Sequence, residues 1–436
     1  MRIRYSTLKD GTPVKKAVVY TQDEHGINFN DVDSEAVYIT NQLKANGYDS
    51  YIVGGAVRDL ILKKKPKDFD IVSAASPARI KKVFRNAQII GRRFRLVHVH
   101  FGPRIYEVST FRSLKEGPTS NVFGTIEEDV CRRDFTLNAL FYDPQKQIVV
   151  DYVGGMKDIK EKKIRPIIPL DSIFIDDPVR MIRAVKYSAA TGFKLPLTLR
   201  WKIKKQSELL TSISPSRLTE EILKIINSSA AADIVEALET FGLYQYLQPN
   251  ATRLFRENAG FQERYMKSFH ELNSAVISGG NSPEKEVSGS AEPADSTEPG
   301  VQPKGWVLAA LIRDFLEDNI DWAGDSVENY KTAFLQARKF VLPMNPPRVE
   351  LDHAVRLIFG EHGIAIKKSR FTERLRRPFR MREEVKAEEV QETPPQAPLA
   401  PSAEKNHKRR RRRKKSAAPK QAENQTPGTA PDTKEE

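Results

Sequence analysis

The chain has 436 residues, of which 39% are hydrophobic and 29% charged, and its formal net charge is +14. This length predicts two or three domains, and the excess of Lys and Arg favours a polyanionic partner. The single cysteine, Cys131, excludes an internal disulfide and a cysteine-based zinc site, and the absence of a long apolar run or an apolar leader predicts a cytoplasmic protein without a membrane span.

The first half of the chain mixes strand and helix patterns. Residues 1–33 are polar with little periodicity and predict a flexible N-terminal arm. Four apolar side chains on one face then predict a helix over Ser34–Gly47. Strand and helix patterns alternate from there to about residue 155. Two strand pairs are predicted, Leu96–Phe101 with Arg104–Phe111 and Leu137–Tyr142 with Ile148–Val153.

The segment from Tyr51 to Asp70, YIVGGAVRDLILKKKPKDFD, predicts a strand, a double-glycine turn, a helix and a second strand. Because Gly54 and Gly55 have no side chains, backbone N–H groups at the start of the helix can approach phosphate oxygens. We therefore predict that this turn and Arg58 contact a nucleoside triphosphate. An ion pair between Arg58 and its neighbour is the structural alternative.

Two aspartates separated by a single residue end this segment. Side chains two positions apart on a strand share a face, so Asp68 and Asp70 are expected to point the same way. Two carboxylates so near to each other repel unless a cation lies between them. Oxygen ligands suit Mg²⁺ that bridges to substrate phosphates. A solvated strand edge is the alternative, but the apolar neighbours Phe69 and Ile71 favour a strand within a core. The whole segment indicates nucleotidyl transfer.

These motifs resemble those of the class II nucleotidyltransferases of the DNA polymerase beta superfamily, which include the bacterial poly(A) polymerases and the CCA-adding tRNA nucleotidyltransferases. The resemblance covers roughly residues 35–250, about half of the chain. It implies an α+β fold, with an N-terminal nucleotidyltransferase palm built on a mixed β-sheet and all-α neck and body domains after it. The motifs that carry it are GGAVRD and DFD, RRDFTLNAL from Arg132, DYVGGMKD from Asp151, DDPVRMIRAVKYSA from Asp176 and SPSRLTEE from Ser214.

The resemblance also implies a site for two Mg²⁺ ions with ATP as substrate. Asp68 and Asp70 would hold the metal, and Asp134, in the family's Arg-Arg-Asp motif, is the first choice for a third essential acid. Glu107, on a neighbouring strand, is the second candidate for the metal site. Asp134 could instead orient Arg133, which would then hold the ribose or the triphosphate.

A base-reading pair is implied at Asp177 and Arg180, three residues apart on one helix face. A carboxylate only accepts hydrogen bonds and a guanidinium only donates them. Adenine and cytosine each offer an amino donor beside a ring-nitrogen acceptor, whereas guanine and uracil present the reverse order. The pair therefore admits A and C, by about 1–3 kcal/mol per bidentate match, and does not itself distinguish A from C.

One basic segment favours adenylate addition. Arg92, Arg93 and Arg95 lie in GRRFRL, which is similar to the poly(A) polymerase version of this motif, and form a basic loop suited to phosphates. Charge alone does not say which nucleotide is added. The loop 113–120 is shorter than in many relatives, and its effect on processivity is left open.

The second half of the chain is helical in pattern and ends in low-complexity sequence. Helices are predicted from Asp176 onward and again at Trp306–Leu316, Ser326–Val341 and Pro347–Phe359. Eight consecutive basic residues are expected to bind RNA phosphates, with a merely solvated tail as the alternative. They are Lys408, Arg409, Arg410, Arg411, Arg412, Arg413, Lys414 and Lys415.

Composition shifts then set the predicted domain boundaries. The domains are a flexible arm (1–33), a catalytic palm (34–160), a helical neck with base recognition and RNA binding (161–277), a disordered linker (278–304), a C-terminal helical domain (305–378) and a disordered basic tail (379–436). The glycines of Asp151–Gly155 are expected to form either a hinge that closes on the nucleotide or a plain turn.

The resemblance therefore implies a template-independent enzyme that adds AMP from ATP to RNA 3′ ends, releases pyrophosphate and promotes RNA processing and decay. CCA addition to tRNA is the enzymatic alternative, and a non-catalytic RNA-binding protein is the alternative of another class. ATP and single-stranded RNA 3′ ends are the expected partners, with RNA-decay or RNA-chaperone proteins as further candidates. RNA preference and oligomeric state are left open.

Overall fold

The computed structural model describes residues 2–7, 13–91, 95–113, 122–277 and 304–366, all within one compact unit. Nine strands among these residues form a single sheet. The strands are β1 (Arg2–Thr7), β2 (Pro13–Tyr20), β3 (Ser50–Val53), β4 (Asp70–Ser73), β5 (Ala87–Ile90), β6 (Leu96–Phe101), β7 (Arg104–Thr110), β8 (Leu140–Asp143) and β9 (Ile148–Asp151).

The order of strands in the sheet is β1-β2-β9-β8-β3-β4-β7-β6-β5. Neighbours run antiparallel except β4 and β7, which are parallel, so the predicted mixed sheet is confirmed. The two predicted strand pairs are β6 with β7 and β8 with β9. The strand β8 begins later than predicted because Thr136–Asn138 forms a 3₁₀ turn.

The prediction of a flexible arm over residues 1–33 is wrong for the described part of that segment. The strand β2 pairs with β9 through Val18, Val19 and Tyr20. Ala17, Val18 and Val19 are all buried. The apolar residues Ala17–Val19 form an unbroken run and lack the alternation that marks a half-exposed strand. The polar residues on either side therefore led to the prediction of a flexible arm.

The helices follow and interleave with the sheet. They are α1 (Gln22–His25), α2 (Ser34–Ala45), α3 (Gly55–Ile61), α4 (Pro77–Val83), α5 (Ile126–Cys131), α6 (Gly155–Lys160), α7 (Ile173–Asp176), α8 (Val179–Thr191), α9 (Leu197–Gln206), α10 (Pro215–Ile226), α11 (Ala231–Thr240), α12 (Tyr244–Leu247), α13 (Pro249–Glu257), α14 (Ala259–Ile277), α15 (Lys304–Asn319), α16 (Ser326–Phe340) and α17 (Arg348–Glu361). The predicted helices near residues 34, 306, 326 and 347 are therefore present.

The described part of the second half of the chain is helical, as predicted. Lys304 begins α15 and so does not belong to the predicted linker, whose remaining residues, 278–303, lie outside the described part of the chain. The predicted basic tail, 379–436, also lies outside it. Among the described residues, no helix is both long and apolar enough to cross a membrane.

Two helices bury an apolar face and turn a polar face away from it. In α8, Met181, Ala184 and Val185 are buried, and in α10 Leu218 and Ile222 are buried. These side chains join one core that also includes residues of the sheet. The burial fixes the rotation of both helices and thereby determines where their polar side chains lie.

The turn at Asp151–Gly155 is braced by local contacts. The Asp151 carboxylate accepts hydrogen bonds from the backbone N–H groups of Val153, Gly154, Gly155 and Met156, at 2.8–3.0 Å. A Cβ at Gly155 would lie 2.3 Å from the Thr136 carbonyl oxygen. These contacts favour the plain turn over the hinge, because opening it would expose four unsatisfied donors.

Candidate active site

A cavity of about 500 Å³ opens between the middle of the sheet and the helices α8 and α10. Its lining includes nine residues that the sequence predicted: Gly54, Gly55, Arg58, Asp68, Asp70, Arg133, Asp134, Asp177 and Arg180. It also includes eight that the sequence did not single out: Arg132, Asn138, Arg183, Lys186, Tyr187, Arg217, Glu221 and Lys224. The fold therefore brings distant motifs to one polar site.

The double-glycine bend forms one edge of the cavity. Gly54 has φ +74°, a conformation that other residues rarely adopt, and it lies between β3 and α3. A Cβ there would lie 3.6 Å from an Asp70 carboxylate oxygen, and one at Gly55 would lie 3.5 Å from Arg58 Nη2. The bend thus presents bare backbone beside an acid and a guanidinium.

The Arg58 side chain is held from two sides. Its Nε donates to Asp59 Oδ1 at 2.9 Å, which is the neighbouring ion pair considered as the alternative. Its Nη1 donates to Asn138 Oδ1 at 2.9 Å, and its guanidinium lies 5.3 Å from the centre of the Tyr187 ring. The ion pair and the position in the cavity therefore coexist.

Asp68 and Asp70 both line the cavity, although β4 begins only at Asp70. The expectation that both lie on one strand is therefore wrong, while the expectation that they reach one site is met. Neither carboxylate forms a hydrogen bond or an ion pair with the described residues. Confinement in the cleft, and then the negative charges of Glu107 and Asp68, raise the pKa of Asp70 to about 6.

Glu107 lies on β7 and is absent from the lining of the cavity. Burial raises the pKa of the Glu107 carboxyl, and the charge of Asp68 adds to this effect. Among the described residues, no group of three His, Cys, Asp or Glu side chains is arranged to hold a metal ion. Mg²⁺ usually takes one or two carboxylates together with phosphate oxygens, and the Asp68–Asp70 pair offers that donor set.

Asp134 is buried and fully engaged by protein donors. One carboxylate oxygen accepts from Arg183 Nε at 2.7 Å, and the other accepts from Phe135 N at 2.7 Å and Asn138 Nδ2 at 3.4 Å. Burial alone would raise the pKa of Asp134, but Arg183 and the hydrogen bonds from Phe135 and Asn138 together outweigh it, and the pKa is lowered. These contacts favour a positioning role for Asp134 over metal binding.

Arg133 is oriented by Asp129 and not by Asp134. Its Nε and Nη2 donate to Asp129 Oδ2 at 3.2 and 2.9 Å, and its Nη1 donates to the Asn138 carbonyl at 3.2 Å. Asp134 therefore does not orient Arg133, and the expectation that it could is wrong. Arg58 and Arg133 both contact Asn138, and each is paired with its own carboxylate, Asp59 and Asp129 respectively.

Asp177 and Arg180 lie at the junction of α7 and α8. Asp177 Oδ1 accepts from Val179 N at 3.1 Å, and Oδ2 accepts from Arg217 Nη2 at 2.5 Å. Arg180 Nη1 donates to the Ile173 carbonyl at 3.1 Å. Each side chain keeps unused hydrogen-bonding capacity, because a carboxylate has four acceptor sites and a guanidinium has five donors.

The helices α8 and α10 contribute polar side chains that sequence reasoning missed. On α8, Arg183 and Tyr187 recur at helical spacing with the predicted Arg180. Arg217, Glu221 and Lys224 recur in the same way on α10. Both stripes border the buried apolar face, and Arg180 and Glu221 are themselves buried, so a search of each helix for a second, polar period would have found them.

A buried ion pair links these two helices. Lys186 Nζ lies 3.4 Å from Glu221 Oε2. Burial alone would raise the pKa of Glu221, but the charges of Lys186 and Arg183 outweigh it and the pKa is lowered. The pair fixes α8 against α10 at the cavity wall.

Some predicted phosphate-binding residues lie outside the described part of the chain. They are Arg92, Arg93 and the basic run from Lys408 to Lys415. Arg95 is described and exposed. These residues are not placed relative to the cavity.

Two family models match separate parts of the chain. Residues 50–165 match the model described as "Poly A polymerase head domain", and these residues supply the glycine bend, Asp68 and Asp70. Residues 192–255 match the model described as "Probable RNA and SrmB- binding site of polymerase A". The second match includes α10 and its cavity-lining stripe.

The chain is similar to two groups of curated proteins and to a solved structure. It is 42% identical over 259 residues to poly(A) polymerase I of Escherichia coli O6:H1, covering 56% of each chain. It is 36% identical over 219 residues to the CCA-adding enzyme of Geobacillus thermodenitrificans, covering 49% of this chain and 54% of that one. A solved CCA-adding enzyme, in its apo form II, shares the fold at a TM-score of 0.50 and 20% identity, over 80% of this chain and 78% of that one.

The chain thus spans about half the length of the curated relatives that it matches. The head-domain match covers strands β3 to β9 and the cleft residues from Gly54 to Asn138, whereas the cleft residues from Asp177 to Tyr187 lie between the two matches. Residues 50–165 are therefore similar to the poly A polymerase head domain, and the curated relatives of the chain include both poly(A) polymerases and CCA-adding enzymes.

Proposed function

We propose that the chain is a template-independent polynucleotide adenylyltransferase that transfers AMP from ATP to an RNA 3′-hydroxyl and releases pyrophosphate. The observation that carries this proposal is the cavity that joins the acidic pair Asp68 and Asp70 to the glycine bend and to Asp177 and Arg180. Metal-holding, phosphate-binding and base-reading groups are the parts that such a transfer requires.

The acidic pair fits a divalent cation because neither carboxylate has a hydrogen-bond or ion-pair partner among the described residues, and the charges of Arg133 and Lys224 offset only part of the negative charge at Asp70. Asp68 and Asp70 would hold Mg²⁺ together with phosphate oxygens, and Glu107 is close enough to add to the negative field. When bound, Mg²⁺ supplies Lewis-acid stabilisation of the transferring phosphoryl group and its leaving oxygens. The chain's own contribution is to hold the two carboxylates in place at the base of the cleft.

The triphosphate would lie against the glycine bend. Bare backbone at Gly54 and Gly55 permits close approach, and Arg58 and Arg133, which both contact Asn138, supply positive charge. Their partners Asp59, Asn138 and Asp129 fix both guanidiniums before the substrate binds. Such preorganisation reduces the reorganisation needed to stabilise charge that develops during transfer.

The base would meet Asp177 and Arg180. Their acceptor and donor complement the edges of adenine and cytosine and oppose those of guanine and uracil. Arg217 limits the rotation of the Asp177 carboxylate through its 2.5 Å contact. A fixed acceptor discriminates better than a mobile one, because mispairing then leaves a polar group unsatisfied.

The choice of ATP alone, over two additions from CTP followed by one from ATP, rests on similarity to the bacterial poly(A) polymerases. The identity to the Escherichia coli protein, 42%, exceeds the 36% to the Geobacillus CCA-adding enzyme. We propose single-stranded RNA 3′ ends as the acceptor, with palm (34–160) and neck (161–277) as functional domains and the basic residues near 92–95 and 408–415 as phosphate contacts. The activity is proposed to be cytoplasmic and to promote RNA decay, together with proteins of that process.

Incubation with one nucleotide at a time tests this proposal. Purified protein is given Mg²⁺ and either an unrelated single-stranded RNA or a tRNA that lacks its 3′ end, with ATP, CTP or both. Long A-tails from ATP alone on the unrelated RNA are expected. Addition that stops after C-C-A on the tRNA would instead assign CCA addition, and no incorporation at all would leave a non-catalytic RNA-binding protein.

A further inference from the structure

One tyrosine ring at the wall of the active-site cavity gathers three cationic side chains. The centre of the Tyr187 ring lies 5.3 Å from Arg58 Cζ, 5.5 Å from Arg183 Cζ and 5.4 Å from Lys186 Nζ. Arg58 belongs to α3, which follows the glycine bend, whereas the ring and the other two cations belong to α8. The ring is therefore a contact through which α8 reaches the residue beside the bend.

Each of the three cations already has a carboxylate partner of its own. The pairs are Arg58 with Asp59, Arg183 with Asp134 and Lys186 with Glu221, at 2.7–3.4 Å. These acids balance the charge, so the ring is not needed to neutralise any of the cations. The face of an aromatic ring is negative and attracts a cation that lies over it. The ring thus acts on where the cations lie, not on whether their charge is matched.

For Arg58 the ring supplies a restraint that the polar partners do not supply. Arg58 Nε donates to Asp59 Oδ1 and Nη1 donates to Asn138 Oδ1, both at 2.9 Å. The donors of a guanidinium lie in its plane, so these bonds fix its edges, and a ring over its face opposes tilting of the plane. Arg58 Nη2 lies 3.5 Å from the position of a Cβ at Gly55. The restrained guanidinium therefore lies beside the glycine bend.

The ring is itself anchored by the core. Phe135, which is fully buried, packs edge-on against Tyr187 with ring centres 6.0 Å apart and an angle of 81° between the rings. Tyr187 is half-buried and lines the cavity. An arginine side chain carries about 2 kcal/mol of rotamer entropy, so an anchored surface that limits its motion favours a single position.

The face of α8 that carries the ring also carries the proposed base-reading guanidinium. Arg180 and Tyr187 are seven residues apart, which is about two turns and about 10 Å along the helix axis. Both side chains line the cavity. A nucleoside triphosphate has its base at one end and its phosphates at the other. One helix therefore relates the residue for the base to the residue for the phosphates.

We infer that Tyr187 is a positioning residue that holds the Arg58 guanidinium in register with Arg180, so that α8 sets the spacing between the phosphate end and the base end of the nucleotide site. The inference rests on the proposed function, because it concerns the nucleotide which that reaction uses. The ring carries the effect and the hydroxyl does not, since the three cations contact the ring.

Calorimetric titration of the full chain with ATP and Mg²⁺, without RNA, tests the inference. Tyr187→Leu removes the ring and is expected to weaken ATP binding by about 2- to 30-fold, the range for loss of one cation–π contact. Tyr187→Phe keeps the ring and should bind ATP within about twofold of the original chain. Inorganic tripolyphosphate should lose as much affinity as ATP in Tyr187→Leu, whereas adenosine, which has no phosphates, should bind equally to both proteins.

A double-mutant cycle with Arg58→Met separates positioning from general support of the fold. If Tyr187 acts through Arg58, adding Tyr187→Leu to Arg58→Met should not weaken ATP binding further. Tyr246→Leu is the matched control, because Tyr246 is also a half-buried tyrosine on the same core but lies outside the cavity. It should lower the melting temperature and leave ATP affinity unchanged. Tyr187→Met, whose side chain fills irregular gaps, serves if Tyr187→Leu does not fold.

The outcomes separate this inference from the proposed function. Equal ATP affinity of Tyr187→Leu and the original chain, or an equal loss with and without Arg58, would overturn the inference. Either result would leave incorporation of AMP by the original chain unaffected. Conversely, failure of the original chain to incorporate AMP into RNA, with ATP binding that still depends on Tyr187, would overturn the proposed function and retain Tyr187 as a positioning residue of a nucleotide site.

Discussion

The two walls of the active-site cleft treat their acidic residues in opposite ways. On the helical wall, Asp177 is paired with Arg217 and Glu221 with Lys186, and where this wall contacts the palm Arg183 is paired with Asp134. On the sheet wall, Asp68 and Asp70 have no hydrogen-bond or ion-pair partner in the described part of the chain. The pKa of Asp134 is lowered, whereas that of Asp70 is raised to about 6.

This difference separates support from chemistry within one cavity. A carboxylate whose charge is already matched stabilises the fold and holds a neighbouring cation in position. A carboxylate placed next to other acids without a partner lowers stability, and its retention is better explained by a ligand that supplies the missing charge. On this reasoning the sheet wall holds the reacting groups and the helical wall positions the substrate.

The largest expected effect is on activity at the sheet wall. Asp68→Asn/Asp70→Asn should reduce AMP incorporation by about a thousandfold or more, since loss of a metal site removes several kcal/mol of transition-state stabilisation. Incorporation of radiolabelled ATP into RNA measures this, and RNA affinity should be retained. Glu208→Gln, an exposed acid outside the cavity, is the control and should be fully active. Substantial incorporation by the double variant would remove the sheet wall from the chemistry.

At the helical wall the dominant effect should be on stability. Asp134→Asn leaves the Arg183 guanidinium without its 2.7 Å partner in a mostly buried site. We expect the free energy of unfolding to fall by about 3–5 kcal/mol, as measured by denaturant unfolding. Adding Arg183→Met should restore part of it, because no unpaired charge remains. An Asp134→Asn protein as stable as the original would show that the pairing on this wall is not structural.

The two double-glycine turns give a matched pair of substitutions. Gly155→Ala places a Cβ 2.3 Å from the Thr136 carbonyl oxygen and should destabilise the fold by about 1–3 kcal/mol. Gly55→Ala places its Cβ at an ordinary 3.5 Å from Arg58 Nη2, so stability should be unchanged while ATP binding weakens. Thermal melting and ATP titration measure the two effects. Equal stability of both variants would contradict the assignment of Gly155 to packing.

The pH dependence of stability tests the environment of Asp70 in the absence of a bound ligand. The folded-state pKa of Asp70, about 6, is above its ordinary value of 3.8, so the folded protein binds this proton more tightly. Its contribution is present below pH 4 and is lost as pH rises to about 6. In the absence of divalent cations, Asp70→Asn should therefore melt at a higher temperature than the original chain at pH 7.5, and the difference should shrink as pH falls and vanish near pH 4. A lower melting temperature at pH 7.5 would reverse the assigned direction.

The smallest expected effect concerns base selection. Arg217 is about half exposed, so its ion pair with Asp177 is worth about 0.2–1 kcal/mol. Arg217→Gln should reduce discrimination between ATP and GTP by up to about fivefold, because the Asp177 carboxylate gains freedom to rotate. The ratio of kcat/KM for the two nucleotides measures this. An unchanged ratio would mean that Val179 N alone fixes Asp177.

The sequence was sufficient for the sheet wall and insufficient for much of the helical wall. Asp68, Asp70 and the glycine bend lie within twenty residues, so local spacing predicts that they meet. Asn138, Lys186 and Lys224 come from separate elements, and only the packing of apolar faces brings them to the cavity. Periodicity predicts that a helix has a polar face, but it does not tell which partner that face meets.

The strand β2 shows a different limit. Its buried run Ala17–Val19 is short and lies in a polar segment, and its pairing with β9 joins residues more than a hundred positions apart. Such pairing depends on the complete sheet rather than on local propensity. The prediction of Asp134 as a third essential acid meets the same limit. Its partner Arg183 lies far away in the sequence and becomes apparent only when α8 is packed against the palm.

The most direct test of the account is the stabilisation of the free protein by Mg²⁺. Melting temperatures of the original chain and of Asp68→Asn/Asp70→Asn are compared as Mg²⁺ is increased at pH 7.5 and constant ionic strength. Uncompensated acids on the sheet wall predict that Mg²⁺ raises the melting temperature of the original chain and leaves the double variant unchanged. An equal rise in both proteins, or no rise in the original chain, would contradict a cation site at Asp68 and Asp70.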